Sequence, residues 1–275
     1  MRMLALTAWT DILESLRARW FVVYTLVFGG LVVLLFVLGL TESRVMGFTG
    51  LSRLMLTYIQ LSMAILPIFV LITTVRSLAG DREAGVFEYL LSFPVPLAAW
   101  YWGKLLGRFV VVFTPVFLAM VLAIAWGALR GAAIPWGLFA YYTGLLVALA
   151  WCFLGIGILI SSLARSVDVA QGAAFLVWLL LLLFLDLILL GALIQEQLPP
   201  EQAVAIALVN PMQVFRTGTM LLFDPQLVML GPAAYLILDT FGRVGYMVFA
   251  LAYPVAFGTL AALVGYRVFR RGDLV

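Results

Sequence analysis

Long apolar runs separated by short polar turns set the plan of this chain. Crossing a bilayer as a helix takes about 20 apolar residues, and six runs have that length. They cover roughly Trp20–Leu40, Leu54–Val75, Leu105–Leu129, Leu138–Leu163, Ala170–Ile194 and Gly245–Phe269. Pro67 and Pro115 fall inside the second and third. Proline removes a backbone donor and predicts a kink, which neighbouring helices can accommodate in a membrane. Ahead of the first run, Leu6, Trp9, Leu13, Leu16 and Trp20 recur at three- and four-residue steps among Thr10, Asp11, Glu14 and Arg17. This pattern predicts an amphipathic helix over residues 1–19 lying at the membrane interface. The acidic and basic residues inside it interrupt any signal-peptide core, so cleavage is not expected.

Two stretches break the rhythm. Residues 76–104 are charged and interrupted. Asp81 is expected to cap a short helix, with Glu83 in its first turn. Phe87, Leu90 and Leu91 form an apolar ridge at helical spacing, and Pro94 and Pro96 stop the helix. Trp100, Tyr101 and Trp102 lead back towards Lys104. A plain connector need not carry such a ridge, so Phe87, Leu90 and Leu91 are expected to face lipid or a partner's groove. The second stretch, residues 195–244, mixes turn signals (Asn210-Pro211, Asp224-Pro225, Gly231-Pro232) with apolar pieces too short to span. It reads as a large loop with short helices resting on the membrane surface.

Composition fits this pattern. The 275 residues are 65% hydrophobic and only 11% charged, whereas globular domains are about 25% charged. A soluble surface cannot be built from that mixture. The expected fold is all-α: a single polytopic membrane domain over residues 1–275 with six transmembrane helices, embedded in membrane lipid. The net charge of +3 reflects basic residues at span ends rather than a nucleic-acid partner. Eleven of the sixteen Lys and Arg residues fall on the side of the termini and of residues 76–104, and five on the other. By the positive-inside rule, both termini and residues 76–104 are expected to be cytoplasmic, with residues 195–244 facing the other compartment.

Candidate chemistry is sparse. Histidine is absent and Cys152 is the one cysteine, so neither a disulfide nor a Cys/His metal site is expected. Asp186 is the ionisable residue placed deep in a span, which marks it as functional or as hydrogen-bonded within the bundle. An aspartyl protease needs a second intramembrane aspartate, which the chain lacks. Ten methionines are dispersed rather than clustered for Cu(I). Gly103-Lys104 is not a phosphate loop, because Ala98 stands six residues before the lysine and Leu105 follows it. No cofactor is expected in this chain, and it is not expected to be an enzyme. Any ATP and Mg would be held by a partner.

The run Arg82-Glu83-Ala84-Gly85-Val86-Phe87-Glu88-Tyr89-Leu90-Leu91-Ser92-Phe93-Pro94-Val95, followed by Trp102-Gly103-Lys104, resembles the signature loop of ABC-2 type permeases. The likeness extends to the six-span, type V exporter-like plan with its N-terminal interfacial helix. It implies pairing with a second copy of the chain and with two separate ABC ATPase subunits. It also implies that residues 76–104 form a cytoplasmic coupling helix, touching the ATPase through Glu83, Gly85, Phe87, Glu88, Leu90, Leu91 and Pro94. The stretch from Asn210 to Arg216 is similar to that of permeases serving nitrous oxide reductase maturation, which assemble copper–sulfur centres with a periplasmic β-helical protein. That likeness implies docking of such a protein at Asn210, Pro211, Met212, Phe215 and Arg216. An ABC-2 exporter of a lipid, drug or polysaccharide and a non-transporting membrane scaffold remain alternatives.

Overall fold

The computed structural model describes residues 2–17, 21–27, 29–30, 50–92, 95–129, 136–194, 199–223, 227 and 232–271. All regular structure among them is helical. In chain order the helices are α1 (Arg2–Arg17), α2 (Gly50–Glu83), α3 (Val86–Leu91), α4 (Leu97–Leu129), α5 (Trp136–Leu163) and α6 (Val167–Leu179). A π-helical turn, Leu180–Phe184, joins α6 to α7 (Leu185–Ile194), and α8 (Pro200–Val209), α9 (Pro211–Phe223) and α10 (Pro232–Arg271) complete the chain. Among the described residues, five stretches are long and apolar enough to cross a membrane: Ser62–Glu83, Leu97–Leu122, Trp136–Leu163, Val167–Ile188 and Ala234–Arg271. The first expected span, residues 20–40, lies largely outside the described residues.

Helix α5 is the axis of the bundle. It packs against α10 on one side and α2 on another, and small residues set both contacts. A Cβ on Gly258 would lie 2.6 Å from the Cys152 Cα, and one on Gly157 would lie 3.0 Å from the Thr74 Cβ. Lipid offers no hydrophobic drive for helices to associate, so such close backbone approach supplies the dispersion contacts that hold them together. Polar groups add to this. The Tyr101 hydroxyl donates to the Ala262 carbonyl at 2.7 Å. The Trp178 indole donates to the Ala64 carbonyl at 3.0 Å, in the turn preceding Pro67.

Helix α1 packs along α4. Gly103 and Gly107 provide the seat: a Cβ on either would lie 2.7 Å from α1, at the Thr7 Cβ and the Ala8 carbonyl respectively. Its burial is the reverse of that on a soluble helix. Asp11 and Ser15 face inward, whereas Trp9 is 58% exposed and Leu6 is exposed beside it. Outward apolar residues with inward polar ones fit a helix whose free face meets lipid.

Among the described residues, 195–244 hold α8, α9 and the first part of α10, whose helix is broken at Gly242, where φ is +64°. One expectation changes. Helix α9 does not rest on a surface. It packs against α5, α10, α2 and α8, with Met212, Val214, Phe215 and Leu221 buried.

Candidate functional site

The ends of α4, α5, α6 and α10 meet the tip of α2 and the connector helix α3 that follows it. Helix α2 runs through Asp81 to Glu83 and stops because Gly85 adopts a left-handed φ of +67°. The Ala84 N–H reaches the Gly80 carbonyl, and the Gly85 N–H reaches the Arg82 carbonyl, in the manner of a helix closed by a glycine. Asp81 and Glu83 therefore do not start the short helix, as the sequence suggested. The ladder of α2 carries on past them, and α3 starts only at Val86.

Six acidic and basic residues here tie one helix to another. Asp81 pairs with Lys104 of α4, whose ammonium also reaches the Ser77 carbonyl at 3.3 Å and lies 4.8 Å from the centre of the Trp100 ring. The Arg82 guanidinium donates to the Ala164 carbonyl at 2.6 Å, just past the end of α5. The Glu83 carboxylate accepts from the Val167 N–H at 2.8 Å, placing negative charge at the positive end of α6. Arg108 donates to Asp11 at 2.8 Å and fixes α1 to α4. Burial pushes the Asp11 carboxyl up, against the pull of Arg108 and Lys104.

Phe87 departs from its expected place. It is 1% exposed, with its ring 5.2 Å from that of Trp100 and 5.4 Å from that of Phe269. An aromatic with no outlet to water or lipid is a wedge between α4 and the end of α10, not an exposed contact. Tyr89, which the sequence did not single out, faces outward. The side chains of Glu88, Leu90 and Leu91 lie outside the described residues, as does the whole of Pro94.

Residues 5–274 match the family described as ABC-2 family transporter protein. The chain belongs to that family. It is similar to the "Probable ABC transporter permease protein NosY" of Stutzerimonas stutzeri, at 26% identity over 75% of this chain and 77% of that protein. The protein of the same description from Pseudomonas aeruginosa is 27% identical over 78% of this chain and 80% of its own length. The chain is thus an ABC-2 permease, the membrane component of a transporter whose ATPase is a separate subunit.

The far end of this permease carries the second cluster. Asn210 caps α9: its side-chain oxygen accepts from the Met212 N–H at 3.0 Å, and its amide donates at 2.6 Å to the Leu181 carbonyl inside the π-helical turn. Such a turn loosens the regular ladder, and Asn210 supplies a donor to it. Asp186 follows the turn. It accepts from the Gln213 amide and lies 3.7 Å from Arg216. The intramembrane carboxylate is therefore hydrogen-bonded within the bundle, with partners that the sequence did not assign to it. Asn210, Pro211, Met212 and Phe215 are buried, so the expected docking surface is corrected: these residues hold α9 in place. Only Arg216 of that set is partly exposed.

Proposed function

We propose that this permease couples ATP hydrolysis by its ATPase partner to movement of a substrate, or of force alone, in copper-centre maturation of nitrous oxide reductase. In this reading the connector end faces the cytoplasm of a bacterium and residues 195–244 face the periplasm. Two copies of the chain pair above two ATPases, which hold ATP and Mg, and a periplasmic β-helical protein docks outside. The moved species is sulfur-containing, or the stroke itself is delivered to the periplasmic protein.

The observation that carries the coupling reading is the anchoring of the connector. Phe87 wedges against α4 and α10, Arg82 holds the end of α5, and Glu83 holds the start of α6. A push on α3 reaches α4 and α10 through the buried Phe87 ring, and the adjoining tip of α2 passes it to α5 and α6 through Arg82 and Glu83. The narrower role draws support from the likeness to NosY permeases across three quarters of both chains.

Deletion of the gene in its host tests the role. Nitrous oxide reductase purified from the deletion strain is expected to lack its copper–sulfur centre by metal analysis and absorption spectroscopy. A fully loaded enzyme together with new sensitivity to a drug, or an altered envelope lipid, would favour the exporter reading instead.

A further inference from the structure

One rung of α2 is shared with another helix. In a helix the Ala79 N–H and the Val75 carbonyl are partners, four residues apart. The Ser161 hydroxyl of α5 reaches both ends of that rung. It accepts from the Ala79 N–H at 3.0 Å and donates to the Val75 carbonyl at 2.6 Å. All three residues are fully buried. Between them, Lys104 donates to the Ser77 carbonyl at 3.3 Å. Three backbone groups within a single turn of α2 thus have partners on other helices. A side chain that bonds into a helix ladder is one of the few devices by which a helix bends. In apolar surroundings a bend is tolerated only where the backbone groups it frees keep partners, and here Ser161 and Lys104 stand ready to serve them.

The position of this turn gives it a role. On its inner side Thr74 sits against Gly157, where a Cβ would lie 3.0 Å from the Thr74 Cβ. On its outer side Arg82 and Glu83 fasten the tip of α2 to residues 164–167, where α5 has ended and α6 begins. The turn therefore lies between the packed bundle and a tip block that carries the connector. We infer that Val75–Ala79 is the hinge by which connector movement enters the bundle, and that Ser161 is the positioning residue that keeps its rung satisfied while it bends. The inference rests on the reading of the connector as the ATPase contact.

A labelled pair straddling the hinge tests it. Ile72→Cys and Ala84→Cys are both at exposed positions and accept spin labels. The permease is reconstituted with its ATPase in lipid nanodiscs, and the label–label distance is measured with and without ATP. The distance is expected to shift on ATP binding, and Ser161→Ala, nearly the same size, is expected to abolish at least half of the shift while the ATPase still co-purifies. Ser161→Thr, which keeps the hydroxyl, is expected to restore the shift. An undiminished shift in Ser161→Ala overturns the hinge, as does the absence of any shift in the unsubstituted complex. An ATPase that fails to co-purify with the unsubstituted permease overturns the coupling reading itself.

Discussion

Phe87 and Tyr89 are two residues apart on α3 and face opposite ways. Their substitutions separate support of the connector from the proposed contact with the ATPase. Truncating a buried phenylalanine costs about 3–5 kcal/mol, so Phe87→Ala is expected to lower the thermal midpoint of the purified permease. Tyr89→Ala is expected to leave that midpoint unchanged and to weaken ATPase co-purification. Loss of the ATPase by Phe87→Ala at full permease stability would return Phe87 to the contact surface. A second residue-scale case is Asp11. Removing one member of a buried ion pair strands the other, at about 3–5 kcal/mol. Asp11→Ala is therefore expected to destabilise the permease through Arg108, and Asp11→Leu with Arg108→Met to recover most of the loss. A double variant no better than the single one would show that the pair is not the cause. The ridge containing Phe87 was legible in the sequence, but its direction was not. Helical spacing marks an apolar face without saying whether lipid, a partner or the chain's own aromatics at Trp100 and Phe269 cover it.

At the scale of elements, the long helices were readable because bilayer thickness fixes their length. Helix α5 has 28 residues and so measures about 42 Å, enough to cross a hydrocarbon core of about 30 Å. Helix α9 was misread for the opposite reason. It has 13 residues including Gln213, Arg216, Thr217 and Thr219, which suggests a wet surface. Thr219 bonds back to the Phe215 carbonyl of its own helix, but Gln213 and Arg216 find their partner far off in sequence, at Asp186, and no local pattern reveals it. Asn210 is the sharpest probe of this arrangement. Asn210→Asp keeps the cap on Met212 but loses the amide that serves the Leu181 carbonyl. A buried group left unpaired costs about 1–3 kcal/mol. Asn210→Ala is expected to lower the thermal midpoint most, with Asn210→Asp in between. Equal midpoints for Asn210→Asp and the unsubstituted permease would show that the stitch to the π-helical turn contributes nothing.

For the whole molecule, the two polar clusters sit at opposite ends of the bundle, and Asp186 decides whether charge as well as force passes between them. A proton or ion relay needs further ionisable groups along the way. Asp186 instead has Gln213 and Arg216 beside it, both from α9, a helix too short to span. Its carboxylate therefore clamps α9 to the interrupted α6–α7 helix. Asp186→Asn preserves shape and one hydrogen bond while discarding the ion pair with Arg216. The substituted permease is expected to keep full function in its host and to lose little stability. Asp186→Leu removes every polar partner of Gln213 and Arg216 at this carboxylate and is expected to loosen α9, read as faster proteolysis near Gln202. Complete loss of function in Asp186→Asn with stability intact would make the carboxylate part of a substrate or proton path. Retention of function assigns the far end to transmitting movement, with the connector as the place where that movement begins.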